Sequence, residues 1–266
     1  MSKISSCPLC NSQRQHNIVV SNSYEIIECK DCIIGYTYPM PSLPDYEKMD
    51  FHSKEDSENL DKLTSINDLP VDWEKLIHLQ VDMVKSSFET NIKILEIGCG
   101  EGILLEELRT NGFKNVDGFE PSKTATARAR KRNLDIINEY FSSSKAKTKY
   151  DLIIMSHVFE HIERLDNFLN DLSKSLNKNG SIMFTQTNYK GIMPMIQKQN
   201  WYAWVPEQHF WHFTLKGLTK LMQKNNFHLL THSYSSLVHP HNFLYKLSLL
   251  KESLKDQFIS IYKKND

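Results

Sequence analysis

The sequence lacks several features that would place a protein in a functional class at once. It has no surplus of either charge, since 32 Lys and Arg balance 32 Asp and Glu, and nucleic-acid binding draws on a clustered cationic surplus. No apolar run approaches the roughly 18 residues that span a bilayer. The N-terminal residues show no apolar stretch of a secretory signal. We therefore expect a cytoplasmic protein with no membrane span and no nucleic-acid partner.

The composition that is present suits a folded α/β protein. Hydrophobic residues make up 40% of the 266 positions and aromatic residues 11%, which supplies a core and excludes global disorder. A chain of this length fits one large α/β domain with an appendage.

Four of the five cysteines form two close pairs, Cys7 with Cys10 and Cys29 with Cys32. The two C-x2-C pairs are separated by 18 residues, a spacing typical of four-cysteine zinc sites, and the segment between them predicts a hairpin. Disulfides are the alternative, which a reducing compartment disfavours. Four thiolates leave no open coordination position for catalysis. The sequence thus predicts a structural zinc ribbon over residues 1–40.

The middle of the chain alternates short apolar runs with helical segments. Residues 92–97 are typical of a strand buried on both faces of a parallel sheet, and they lead through Gly98, Gly100 and Gly102 into a helix. Further strands are predicted at 115–119, 134–137, 150–155 and 181–185, and further helices at 123–132 and 165–176. This alternation predicts a doubly wound α/β fold with a mostly parallel sheet.

The glycine loop and a following acidic residue predict a nucleotide-like ligand. A strand, a glycine turn and a helix bring the backbone close to such a ligand. Glu120 lies 18 positions past Gly102, near the distance at which a carboxylate meets ribose hydroxyls. Ile103 replaces the third glycine of a dinucleotide-binding turn, and Glu96 beside the loop would repel a diphosphate. S-adenosylmethionine, a cation without phosphate, therefore fits better than a nicotinamide or flavin.

Three segments resemble the class I S-adenosylmethionine-dependent methyltransferases. Residues 94–102 resemble their first motif, residues 118–122 their ribose-binding strand end, and residues 150–162 their fourth strand with its Glu-His turn. With the N-terminal cysteines, the resemblance narrows to a bacterial group that includes sugar methyltransferases and enzymes of surface-polysaccharide and capsule biosynthesis. It implies a seven-stranded Rossmann-like sheet and methyl transfer from S-adenosylmethionine to a sugar, nucleotide-sugar or related glycan precursor. The methylated atom stays open: a sugar oxygen, a sugar carbon, or an anionic oxygen such as that of a phosphoramidate.

The same resemblance implies a set of residues for the cofactor pocket. The glycine loop would hold the methionine part, and the end of the second strand of this region would hold the ribose. These two places comprise Glu96, Gly98, Cys99, Gly100, Gly102, Glu120 and Pro121. Glu139 would lie near the adenine, and His157 would line the pocket after the fourth strand.

Residues 186–213 are dense in aromatic and polar side chains, and ligands of such folds bind at the carboxyl ends of the strands. A rigid aromatic wall is typical of a sugar or nucleotide pocket, although packing of the loop onto the sheet is the alternative. The predicted acceptor-binding residues are Tyr189, Trp201, Trp204 and Trp211.

A hydroxyl acceptor must lose a proton, whereas an anionic acceptor need not. Histidine is a suitable base near neutral pH. His209 is the predicted base, Glu207 is predicted to orient it or the acceptor, and His161 is the other candidate for the base. A purely architectural role for His209, in the turn before the next helix, stays open.

The C-terminal residues 242–266 are predicted to form an amphipathic helix, because apolar residues recur at three- and four-residue steps. Such a helix would dock on the domain or pair with a second copy, giving a monomer or a homodimer. Residues 41–71 are predicted as a connector and 72–241 as the methyltransferase domain. The alternative function is a non-catalytic or RNA-directed zinc-ribbon protein, which the intact glycine loop and the neutral charge disfavour.

Overall fold

The computed structural model describes residues 6–21, 23–42, 66–236 and 251–265. The chain divides into two compact units. The unit called here the sheet unit comprises Pro44–Ser156 and Asn167–Met183. The unit called the cysteine unit comprises Met1–Leu43, His157–Asp166 and Phe184–Asn265. Most of the predicted connector, residues 43–65, lies outside the described residues.

Helices and strands alternate through the middle of the chain, as predicted. The strands are β1 (Gln15–Val20), β2 (Glu25–Cys29), β3 (Gly35–Tyr38), β4 (Lys93–Ile97), β5 (Asn115–Phe119), β6 (Asp135–Ile137), β7 (Tyr150–Ser156), β8 (Leu176–Thr187), β9 (Trp211–His212), β10 (Phe227–Ser235) and β11 (Gln257–Lys264). The helices are α1 (Val71–Ser87), α2 (Ile103–Thr110), α3 (Lys123–Lys131), α4 (Leu165–Ser175), α5 (Ile192–Gln197) and α6 (Leu215–Lys224). None of these described helices is long and apolar enough to cross a membrane.

Seven strands form one sheet in the order β10-β11-β8-β7-β4-β5-β6. Strand β4 pairs in parallel with both β5 and β7, and β5 pairs in parallel with β6. Strands β10 and β11 are antiparallel. The predicted Rossmann-like sheet, seven-stranded and mostly parallel, is therefore confirmed.

Burial on both faces explains the apolar strands at the centre of the sheet unit. Ile94 and Leu95 in β4, and Leu152 and Ile153 in β7, have no exposed surface. A strand covered on both faces cannot alternate apolar with polar residues, so its sequence is a continuous apolar run. These two central strands end at Ile97 and Ser156, where the loops that carry candidate functional residues begin.

The cysteine unit is built on a second sheet, in the order β1-β2-β3-β9. The predicted hairpin between the cysteine pairs is present as antiparallel β1 and β2. Strand β3 pairs with β9 through Gly35 opposite His212 and Tyr36 opposite Trp211. The sheet of the N-terminal 40 residues thus takes its last strand, β9, from the C-terminal half of the chain.

The predicted C-terminal helix is wrong over residues 257–264, which form strand β11. Phe258, Ile259, Ile261 and Tyr262 are all fully buried. A strand buried on both faces shows a short apolar run that also contains three- and four-residue steps, so periodicity alone does not separate the two. Residues 242–250 of the predicted helix lie outside the described residues.

Candidate functional site

The loop between β4 and α2 depends on glycine for its backbone conformation. Gly98, Gly100 and Gly102 have φ angles of 68°, 53° and 77°, a left-handed region that side chains with a Cβ atom adopt at a cost. A Cβ atom at Gly102 would collide with Leu134. A Cβ atom at Gly100 would meet nothing within 4 Å. Gly102 is therefore closely packed against Leu134, whereas Gly100 borders open space that a ligand can occupy.

Two buried carboxylates lie at this loop. Glu120 accepts hydrogen bonds from the backbone N–H groups of Gly100 (2.9 Å) and Ser122 (2.7 Å). Glu96 is only 3% exposed, and its Oε2 atom has no hydrogen-bond partner among the described residues. Burial, and then the nearby charge of Glu120, raise the pKa of Glu96 well above its ordinary value. An unpartnered buried carboxyl is costly, and a ligand that carries positive charge would offset that cost.

The other residues assigned to the pocket differ in their burial and in their contacts. The thiol of Cys99 is buried, and burial raises its pKa well above the ordinary value. Glu139 is exposed and pairs with Lys145. Its neighbour Asn138 instead donates from Nδ2 to the carbonyl oxygens of Glu120 and Pro121, at 2.9 and 3.0 Å. Asn138 therefore fixes the backbone beside Glu120, a role that no pattern in the sequence indicates.

A second group of polar residues follows β7, within the cysteine unit. His157 has a φ angle of 53°, and its backbone N–H donates to the carbonyl oxygen of Thr185 at 3.0 Å. Its Nδ1 atom lies 3.5 Å from Oε1 of Glu160, and Gln186 donates to Oε2 of Glu160 at 2.9 Å. Burial would raise the pKa of Glu160, but the hydrogen bond from His157 and the nearby imidazoles outweigh it and hold that pKa below its ordinary value.

The structure brings His161 and His209 together beside Glu160. The two rings meet edge to face with their centroids 4.7 Å apart. Nδ1 of His161 lies 3.2 Å from the carbonyl oxygen of Gln208, and Nδ1 of His209 lies 3.0 Å from that of Ala203. Burial, opposed in part by Glu160, lowers the pKa of His209 to about 4. Both imidazoles are thus held in place, and His209 is neutral at physiological pH.

Glu160 belongs to the Glu-His turn, but the sequence alone assigns it no separate role. Glu207, the carboxylate that the sequence predicts beside His209, is exposed. Glu160 lies among the histidines because the short 3-10 turn Phe159–His161 and the end of β8 carry it and Gln186 to the same place. No local pattern signals that arrangement, since it depends on residues 26 positions apart.

The four aromatic residues predicted to bind the acceptor are all buried: Tyr189, Trp201, Trp204 and Trp211. Trp204 donates from Nε1 to the carbonyl oxygen of Lys198 (2.7 Å), and Tyr189 donates from its hydroxyl to Glu28 (2.9 Å). These contacts are the ones expected if the aromatic side chains serve to pack the loop rather than to bind a ligand. Tyr189 and Trp204 also line a groove of about 410 Å³ with Val20, Met195 and Lys198. Contact of any of the four aromatic residues with an acceptor stays a prediction.

The two cysteine pairs converge. The Sγ atoms of Cys7, Cys10, Cys29 and Cys32 all lie within 4.8 Å of one another, with 3.8 Å from Cys7 to Cys32 and 3.5 Å from Cys10 to Cys29. All four are free thiols. Zinc–sulfur bonds of about 2.3 Å place tetrahedral ligands about 3.8 Å apart. The donor type and these distances fit a zinc ion held by four thiolates.

Comparison with known proteins places residues 68–232 in the family described as methyltransferase domain. Among curated relatives, the ubiquinone biosynthesis O-methyltransferase of Pelagibacter ubique (strain HTCC1062) is 34% identical over 152 residues, covering 52% of this chain and 62% of that protein. The enzyme of the same name from Rickettsia canadensis (strain McKiel) is 27% identical over 126 residues, covering 44% and 53%. The chain therefore spans between half and two thirds of the length of these relatives.

Solved structures show the same fold at low identity. A possible histamine N-methyltransferase from Thermotoga maritima has a TM-score of 0.53 at 19% identity, covering 71% of this chain and 92% of that one. Magnesium protoporphyrin IX methyltransferase from Synechocystis PCC 6803 has a TM-score of 0.57 at 11% identity, covering 80% and 95%. The family match extends over more than half of the chain, and the glycine loop and the sheet order agree with it. The chain belongs to the methyltransferase-domain family, with residues 68–232 forming a domain of the S-adenosylmethionine-dependent type.

Proposed function

We propose that this protein transfers a methyl group from S-adenosylmethionine to a small-molecule acceptor. Two observations carry the proposal: the open space at Gly100 in the loop after β4, and the buried, unpartnered carboxyl of Glu96 in β4 itself. When bound, S-adenosylmethionine supplies an electrophilic methyl group on a sulfonium. The protein's own contribution is to hold the cation and to align the acceptor with the sulfur–methyl axis.

Each residue of the proposed pocket has a distinct task. The loop from Gly98 to Gly102, with Cys99 within it, admits the methionine part, and Glu96 balances its positive charge. Glu120 already accepts two backbone N–H bonds, but a carboxylate has about four acceptor positions and so can also receive ribose hydroxyls. The same proposal gives Pro121 and Glu139 the remaining edges of the pocket, and a contact of His157 with the cofactor stays a prediction.

The acceptor that we favour is a sugar, a nucleotide-sugar or another surface-glycan precursor. The resemblance to sugar methyltransferases and the groove lined by Tyr189 and Trp204 support it, since about 300–1,000 Å³ is usual for small-molecule sites. The names of the relatives favour a second candidate, a hydroxyl of a ubiquinone precursor. Both candidates are small molecules and both are compatible with O-methylation.

A hydroxyl acceptor requires removal of its proton, which we assign to the histidine pair. The Nδ1 atoms of His209 and His161 face carbonyl oxygens, so each Nε2 atom carries the lone pair. His209 is the first choice for the base, and His161 the second. Glu207 would orient the acceptor from its exposed position. An anionic acceptor oxygen would need neither imidazole.

The acceptor is identified by a screen for labelled methyl transfer. Purified protein and labelled S-adenosylmethionine are incubated separately with glycan-pathway metabolites, with ubiquinone precursors, and with RNA. Label in the first set supports the favoured acceptor, and label in the second supports the other candidate. Selective labelling of RNA would overturn the small-molecule proposal.

Replacement of His209 tests its role as base. We expect His209→Ala to lower turnover by about two to four powers of ten, the usual contribution of general-base catalysis, while cofactor binding is unchanged. His228→Ala, which removes an exposed histidine bonded to Asn265, is the matched control and should keep wild-type turnover. If His209→Ala retains turnover within a few-fold of wild type at every pH, His209 is not the base.

Affinity for S-adenosylmethionine is expected to rise with pH. The raised pKa of Glu96 means that its carboxyl retains a proton above the ordinary range in the cofactor-free protein. A neighbouring cation favours the carboxylate, so binding releases a proton and strengthens as pH approaches the raised pKa. Calorimetry in two buffers with different ionisation enthalpies measures that proton.

The comparison ligand is S-adenosylhomocysteine, which lacks the sulfonium charge, and the comparison variant is Glu96→Gln. Both should show a weaker pH dependence than the wild-type protein with S-adenosylmethionine. Equal pH dependence in all three cases would exclude Glu96 as the group that titrates.

We also propose that Cys7, Cys10, Cys29 and Cys32 hold one structural zinc ion. The donor set and the sulfur separations support it. The ion would fix the start of the chain to the end of β2, where Cys29 lies, and would take no part in methyl transfer, because four thiolates complete its coordination.

A further inference from the structure

Glu160 is a buried carboxylate without a fixed positive charge among the partners described above. It is 2% exposed, and its oxygens contact Nδ1 of His157 and Nε2 of Gln186. Taking an ionised carboxylate out of water costs several kcal/mol unless a cation compensates it. An amide group satisfies a hydrogen bond but supplies no net charge, so the surroundings of Glu160 suit an added cation.

The adjacent histidines, His161 and His209, make the same kind of hydrogen bonds as histidines that bind metal ions. A carbonyl oxygen can only accept, so Nδ1 of His161 must donate to Gln208 and Nδ1 of His209 must donate to Ala203. The lone pair of each imidazole therefore lies on Nε2. Histidines that bind metals usually donate their other N–H to a carbonyl or carboxylate in this way.

One ligand atom from each of Glu160, His161 and His209 lies within 4.8 Å of the other two. We propose that these three residues bind a divalent transition-metal ion, separate from the four-cysteine site. Two imidazoles and a carboxylate suit zinc, iron(II), manganese or cobalt and leave coordination positions open. Metal–ligand bonds in such sites are about 2.0–2.2 Å long.

Binding of the ion does not depend on the proposed function, but the role of the ion in methyl transfer does. An acceptor hydroxyl that coordinates the ion has a lowered pKa, so its O–H bond breaks with the proton passing to water and the oxygen becomes a better nucleophile. With the ion bound, the lone pair of His209 is used for the metal and His209 cannot also act as the base, so the loss of turnover expected for His209→Ala would then come from loss of the ion. Binding of the ion can be measured without cofactor or acceptor.

The test is titration of cobalt(II) into the full chain loaded with one equivalent of zinc, which the softer thiolates retain. Visible absorption and calorimetry report the bound cobalt. We expect one cobalt ion per chain. Glu160→Gln and His161→Gln should each weaken binding at least 10- to 100-fold, since removing a mere outer-shell partner already costs that much. His78→Gln, at an exposed position on α1, is the matched control and should bind cobalt as the wild type does.

Circular dichroism and zinc content show whether each variant is folded. The inference is overturned if the wild-type protein binds no cobalt beyond the four-cysteine site, or if folded Glu160→Gln and His161→Gln bind it as tightly as wild type. Because no methyl transfer is measured, failure of the proposed activity leaves this result unaffected. Cobalt binding that persists in His78→Gln but is lost in the other two variants excludes general surface coordination.

Discussion

Cys10→Ser is expected to abolish stoichiometric zinc binding and to unfold the sheet that contains β1, β2 and β3. Structural zinc sites contribute about 10–16 kcal/mol of binding free energy, which matches or exceeds the entire stability of a typical domain. Cys7 and Cys29 are buried, so the thiolates left by the substitution would be unsatisfied in the interior. Metal analysis and thermal unfolding followed by circular dichroism measure both effects.

The fifth cysteine provides the control. Cys99 lies in the glycine loop, outside the four-cysteine cluster, so Cys99→Ala should retain one zinc ion per chain. Chelation of the wild-type protein should lower its melting temperature in the same way as Cys10→Ser. One equivalent of zinc in purified Cys10→Ser protein would rule out the proposed ligand set.

Local patterns in the sequence are enough to predict the central sheet, the glycine loop and the cysteine pairs. The left-handed backbone conformation at Gly98, Gly100 and Gly102 favours glycine, so the glycines indicate the turn. The C-x2-C spacing indicates which thiols are close enough to share a metal ion. Each of these features depends on residues that are close together in the chain. The hairpin of β1 and β2 is predictable for the same reason, since its strands are joined by a short turn.

Features that depend on distant parts of the chain cannot be predicted in this way. Nothing near Gly35 indicates that β3 pairs with β9 at His212, because cross-strand partners are chosen by tertiary packing. The pattern of β11 predicts a helix, because its apolar residues recur at three- and four-residue steps, and its burial on both faces depends on residues outside that segment. Glu160 has no predictable role, because its environment depends on Gln186 and on His209, which reach it only through the fold.

Sequence patterns also cannot decide which of two adjacent residues contacts a given site. Asn138 and Glu139 follow the same strand, and the carboxylate is the reasonable choice for a ribose or adenine contact. The structure ties Asn138 to the carbonyl oxygens of Glu120 and Pro121, while Glu139 points to Lys145. Which residue at a strand end faces the loop depends on the local twist and register, and composition carries no information about either.

Gly100→Val is expected to abolish cofactor binding while leaving the protein folded. A β-branched residue at a φ of 53° costs about 1–3 kcal/mol in backbone strain, but its Cβ atom would meet nothing within 4 Å. The side chain would instead fill the open space at Gly100 and keep a ligand from the loop backbone. We expect the dissociation constant for S-adenosylhomocysteine to exceed about 1 mM, equivalent to less than about 4 kcal/mol of binding free energy, by calorimetry.

Gly102→Val is the matched comparison, since the same substitution two residues later meets a different environment. Its Cβ atom would collide with Leu134 and lie 3.2 Å from Cβ of Ala129, so overpacking adds about 1–3 kcal/mol to a similar backbone strain. Denaturant unfolding should therefore show a larger loss of stability for Gly102→Val than for Gly100→Val. Loss of binding by Gly100→Val in a protein that stays folded and loses less stability than Gly102→Val assigns the open space to the cofactor, because general misfolding would affect Gly102→Val more. Wild-type affinity in Gly100→Val would instead place the cofactor elsewhere and remove one of the two observations on which the proposed activity rests.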